Sequence, residues 1–184
     1  MLLLAIGDSV FTTADLLSMA FAPPSDERML ATQQIARMSS VRAPDSVAAD
    51  IGIRVLESLF GNRPLTFVGD TAGRAGFWVT PGLADSVAQF VSMDSLPDAV
   101  RQRAAALGHE PVPRGWMFPA GSTGYTTRIG PVRRMGSFYA VDVTHTTLFA
   151  RGAVQSGGYA NGCTMWFIEG AQGWVVFNSS SWVT

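Results

Sequence analysis

Lysine is absent from this chain. All thirteen basic residues are arginine, which removes Schiff-base and P-loop lysine chemistry and points to a GC-rich, bacterial genome. Cysteine occurs once, at Cys163, so there is neither an intrachain disulfide nor a cysteine-built zinc site. Histidine occurs twice, at His109 and His145. No third ligand clusters with either, and the carboxylates show no cation-loop spacing, so no metal and no cofactor is expected. Net charge is −1 with a pI of about 6.1, which gives no electrostatic basis for nucleic-acid binding. No run reaches the ~18 apolar residues of a membrane span.

Charge of either sign is scarce. Charged residues make up 15% and hydrophobic ones 47% of the 184, against roughly 25% charged in ordinary domains. From Met135 to Thr184 the only formal charges are Asp142, Arg151 and Glu169, yet nine of the nineteen aromatics fall there. The segment reads as β-strands, and a strand facing water alternates apolar with charged residues. Both faces of this sheet are therefore expected to be covered: one by the protein's own helices, the other by a subunit, a ligand pocket or another partner. A homo-oligomer, most simply a dimer, follows as an expectation.

The chain length suits one domain over 1–184, with a helical part at about 13–108 and a β-meander at about 124–184. Thr13 is placed to cap a short helix through Leu16, Leu17 and Met19. Pro23-Pro24-Ser25 stops and restarts the chain, with Ser25 as N-cap and Asp26 and Glu27 in the first turn of a helix to about Met38. Asp45 opens a third helix, carried by Val47, Ile51, Val55 and Leu59 and closed by Gly61-Asn62. Leu65–Val68 and Phe77–Thr80 read as a hairpin, Ala84–Val91 as a helix, and Ser95-Pro97-Asp98 as the start of another running to Gly108. His109–Thr123 reads as a loop. The period then changes to two: Tyr125–Ile129, Phe138–Ala150, Tyr159–Ile168 and Trp174–Val183 are expected strands. Helices first and an antiparallel meander last give an α+β fold, with N-terminal helices packed on a C-terminal, strongly curved antiparallel sheet.

That element order, together with Val132-Arg133-Arg134-Met135-Gly136, Ala140-Val141-Asp142-Val143, Gly173-Trp174-Val175-Val176 and Trp182, resembles the α+β roll of the nuclear transport factor 2-like superfamily, which includes ketosteroid isomerases and SnoaL-like cyclases. Ser95–Pro119 departs from the pattern by inserting a helix and a Pro-rich loop. The resemblance implies a conical sheet wrapped on a helix, a pocket at its open end, and a dimer through the sheet's outer face.

His145 and Asp142 are the candidate catalytic pair. They stand three apart on one strand, so alternation sends them to opposite faces. His145 shares its face with Tyr139, Val141, Val143 and Phe149, where a histidine serves either as a pocket base or as a core residue bonded to a carbonyl. Tyr139, Trp166 and Phe149 are the candidate ligand-binding residues. Cys163, approached through Gly157-Gly158 and Gly162, is either a nucleophile or a packed thiol. Ile6-Gly7-Asp8-Ser9 resembles the opening block of GDSL/SGNH hydrolases, with Ser9 as nucleophile and Asp142-Val143-Thr144-His145 matching their Asp-x-x-His, but the Gly-x-Asn-Asp block is missing. Arg133-Arg134 reads as an anion contact or as a charged edge that discourages strand addition.

The leading functional reading is a domain binding a small apolar ligand, with or without acid–base chemistry at His145. A non-enzymatic assembly protein using the uncharged sheet face, and a Ser- or Cys-dependent hydrolase, are the alternatives. The N-terminus lacks a positive n-region, so an intact cytoplasmic chain is expected; an exported one requires residues 1–22, ending Ala20-Phe21-Ala22, to act as an atypical signal.

Overall fold

The computed structural model describes residues 11–22, 25–61, 63–69, 88–93, 95–112, 123–151 and 154–183. Helices α1 (Thr13–Phe21), α2 (Asp26–Arg37) and α3 (Asp45–Phe60) precede most of the sheet, with strand β1 (Val41–Arg42) between the last two. Strand β2 (Ala88–Met93), helix α4 (Asp98–Ala106) and strand β3 (Glu110–Val112) follow, then β4 (Thr123–Ile129), β5 (Arg133–Met135), β6 (Phe138–Arg151), β7 (Val154–Gly170) and β8 (Gly173–Val183). The fold is α+β, as the periodicities imply.

Local chemistry sets the helix ends. Thr12, one residue before the expected cap, accepts from the Asp15 amide while the Asp15 carboxylate reaches back to the Thr12 amide, because the capping box requires a three-residue spacing. Ser25 caps α2 by accepting from the Arg28 amide at 3.3 Å, with Asp26 and Glu27 at its positive end and Arg37 at its negative end. The four-residue spacing of α3 buries Ile51, Val55 and Leu59 as read. Gly52 lets α4 approach, since a Cβ there would lie 3.0 Å from Val100 Cγ2.

All eight strands form one sheet among the described residues. Its pairs are antiparallel except those of β2, which runs parallel to both β3 and β4. β4 and β5 lie along the same side of β6, paired to Val143–Phe149 and Phe138–Ala140 respectively; Gly130-Pro131-Val132 interrupts what is otherwise one long strand. The β5–β6 turn places Gly136 at φ 64°, the left-handed geometry that two-residue hairpin turns demand.

Three expectations change. Ala84–Val91 was expected to be helical, but Ala88–Met93 is a strand between two parallel neighbours, where an apolar run with Val91 and Met93 buried is the normal composition. Glu110–Val112 joins the sheet rather than a loop, and Pro111 is tolerated because β3 is the end of the strand order. Leu65–Val68 docks on β8, with Val68 N donating to Val176 O at 2.9 Å and Val176 N to Thr66 O at 2.8 Å; its expected hairpin partner, Phe77–Thr80, lies outside the described residues.

The sheet is covered on both faces by the chain's own helices over the first half of β6. Val141, Val143, Met165, Phe167 and Val176 pack with Ile51, Val55 and Leu56 of α3 and Val100 and Ala104 of α4. On the opposite face Phe138, Ala140, Trp166, Ile168 and Phe177 pack with Leu16 and Ala20 of α1 and Ala31 and Ile35 of α2. The charge-poor strands therefore require no partner molecule there: α1 and α2 supply the second cover. Two register breaks, at Thr146/Leu148 between β6 and β7 and at Trp166/Phe167 between β7 and β8, mark where such strands bend.

Candidate functional site

One rung of the sheet crosses three strands at polar residues. Thr127 of β4 pairs with His145 of β6, and His145 with Asn161 of β7. Directly opposed residues project to the same face with Cβ atoms roughly 5 Å apart, so the three form a polar row on the α3 side. Thr127 Oγ1 lies 3.0 Å from His145 Nδ1. Leu59 and Phe60, at the C-terminal end of α3, roof the row, while Val143 and Cys163 flank it. The partly open space between them measures about 20 Å³, room for a single water or one functional group.

The surroundings fix the protonation states. Burial holds the His145 imidazole below its ordinary pKa, so at neutral pH it is an uncharged ring that both donates and accepts. Asn161 Oδ1 is buried and has no hydrogen-bond partner among the described residues. The Cys163 thiol is pushed up to about 11, first by burial and then by the charge of Asp142. Phe60 also meets His109 at a tilt of 40°, with ring centroids 4.1 Å apart, and burial lowers the His109 pKa as well.

The structure separates most of the candidates read from sequence. Asp142 faces away from His145, exposed, accepting from Arg133 Nη2 at 2.9 Å and Thr164 Oγ1 at 2.7 Å; the catalytic pair is not brought together. Tyr139 shares the His145 face but lies toward the other end of β6, edge-on to Trp174 at 4.9 Å. Trp166 is on the opposite face, in the α1–α2 core, because its strand partner is Ala140. Phe149 lies beyond the β6–β7 register break, its backbone opposite Thr123 and Ser156. Cys163, opposite Val143, does line the His145 pocket, but a thiol this weakly acidic is a poor nucleophile. Ser9 lies outside the described residues. Thr127 and Asn161 were not singled out in the sequence; only the strand register identifies them.

No group of three or more His, Cys, Asp or Glu is placed to hold a metal among the described residues, and none of the described helices is long and apolar enough to cross a membrane. Comparison of the chain with protein families, with curated proteins and with solved structures found no match.

Proposed function

We propose that the protein is a small-ligand-binding domain whose site is the His145 pocket. A single observation carries the reading: a buried acceptor, Asn161 Oδ1, is left without a partner beside a neutral imidazole under an apolar roof. Sites for small neutral molecules have this composition, an apolar enclosure with a few convergent polar groups. The occupant inserts one hydroxyl group into the row, donating to Asn161 Oδ1 beside His145, and rests its apolar body against Leu59 and Phe60. A neutral His145 is also competent to take a proton from such a group, which adds an acid–base step to the same pose. This is the function class that resemblance to the nuclear transport factor 2-like roll implies.

The test is ligand-observed NMR with a set of small neutral alcohols and phenols. Binding that falls at least tenfold in His145→Ala and in Asn161→Leu is the expected result. Absence of binding across the set, or binding unchanged in both variants, overturns the proposal.

A further inference from the structure

Three strands of the sheet have one free edge, and two of them are blunted. β1 is two residues long and carries Arg42; β3 is three residues long and carries Glu110 and Pro111. Short strands, charges and proline are the usual guards against a foreign strand adding to a sheet. β8 has none of them. It runs for eleven residues, Gly173–Val183, and no charged residue or proline occurs in it.

The chain covers only the first part of that edge. Val176 N donates to Thr66 O and Val68 N to Val176 O, so Thr66–Val68 guards β8 as far as Val176. Just beyond, Arg28 Nη1 donates to Phe177 O at 3.1 Å and the Ser179 amide donates to Asn178 Oδ1 at 2.9 Å. From Asn178 to Val183 no strand other than β7 pairs with β8 among the described residues. An amide that bonds a side chain instead of β7 points to the outer side, and alternation along an antiparallel strand sends Ser181 and Val183 the same way. Ser180 and Ser181 are exposed. The edge opens on a groove of about 400 Å³, walled by Met29 of α2 and by Phe67 beside Ser179 and Ser180. Met29 is 50% exposed.

We propose that β8 pairs antiparallel with β8 of a second copy of this chain, about a two-fold axis at Ser181, joining the two sheets edge to edge. Ser181 then exchanges both backbone bonds with its own counterpart, and Ser179 of each copy faces position 183 of the other. An antiparallel edge is its own complement, so one two-fold contact covers both free edges and closes. Like charges set opposite each other destabilise such a pair, and this strand has no charge to oppose. The same register brings the Trp182-Val183 end of each copy to Ser179 and Ser180 of the other, where the groove walls are Met29 and Phe67: the chain's own sequence supplies apolar residues at an apolar groove. The contact differs from the dimer through the sheet's outer face that the roll resemblance implies, and it does not rest on the His145 pocket.

Sedimentation velocity of the full chain over a dilution series tests it. A monomer–dimer equilibrium is expected, weakened about tenfold or more in Ser181→Lys, which sets two like charges against each other at the axis. Cross-linking gives a second readout that does not depend on that variant's folding. With a short bismaleimide, Ser181→Cys is expected to yield a covalent dimer, while Ser137→Cys, exposed in the β5–β6 turn, is not; both keep the buried Cys163, so the difference between them is read. A monomer at every concentration, association unchanged in Ser181→Lys, open-ended assemblies in place of a dimer, or equal cross-linking at 137 and 181 would each overturn the proposal.

Discussion

Replacing Asn161 by leucine should stabilise this protein while abolishing ligand binding at the His145 row. The two side chains share a branched shape with four heavy atoms, so the change is chiefly one of polarity. In the folded chain Asn161 Oδ1 is buried without a partner, a situation that costs about 1–3 kcal/mol relative to a satisfied or hydrated oxygen. The neighbours that would receive a leucine are Leu59, Phe60, Val143 and Cys163. Asparagine is also depleted in strands, and residue 161 sits inside β7. Against these gains stands the larger size of two methyl groups beside a space of only about 20 Å³, an overpacking cost on the order of 1 kcal/mol. The net expectation is a gain of about 1–2 kcal/mol, or roughly 2–8 °C in Tm for a chain of this size. Urea unfolding followed through the five tryptophans measures it directly, with the m-value unchanged. A loss of 1 kcal/mol or more would refute the reasoning, since it would mean that the Asn161 amide is already satisfied in the folded protein.

Phe138→Ala should cost about 3–5 kcal/mol, because Phe138 is fully buried and meets Phe177 edge-on at 5.7 Å where α1 and α2 cover the sheet; a urea-derived loss below 1 kcal/mol would contradict that cover. Stability should fall on acidification: burial holds both imidazoles below their ordinary value, so above the unfolded histidine pKa of about 6.5 neither state carries the proton, and below it the unfolded chain takes up protons the folded chain resists. Urea midpoints between pH 8 and 5.5 should therefore decline, less so in a His109→Gln/His145→Gln variant, and a rise in the wild type over that range would contradict the burial. Cys163, with its thiol at about 11, should react with a disulfide reagent at pH 8 about a hundredfold more slowly than in urea, the ratio of the two thiolate fractions; reaction at the denatured rate would show an accessible thiolate.

Local signals in the sequence were sufficient where structure is local. Ser25 as a cap, the Val47–Ile51–Val55–Leu59 spacing and the two-residue period after Gly124 each specify an element through neighbours within a few positions, and each element is present. Ala84–Val91 was misread because its strand character comes from pairing with β3 and β4, partners that local propensity does not encode. The same limit applies at the site. His145 was legible as a polar residue on an apolar strand face, but its neighbours Thr127 and Asn161 are defined by register across β4, β6 and β7. Trp166, a ligand-binding candidate in the sequence, stands three positions from Cys163 on one strand, and alternation alone places the two on opposite faces. Arg28 was not singled out in the sequence; the carbonyls of Val68 and Phe177 that hold its guanidinium come from distant parts of the chain.

A sheet covered on both faces turns each buried polar group into a question of compensation. Trp166 Nε1 is buried without a partner, but its ring buries on the order of 200 Å² of surface, about 5 kcal/mol at 25 cal/mol per Å², which exceeds the roughly 1–3 kcal/mol cost of the unmet N–H. Packing alone accounts for Trp166. Asn161 has no apolar body large enough to offset its buried Oδ1, and it lines a cavity. Stability by itself would replace it with an apolar residue of the same length. The presence of Asn161 is explained if its missing hydrogen-bond donor arrives with a ligand, a neutral hydroxyl in the His145 row.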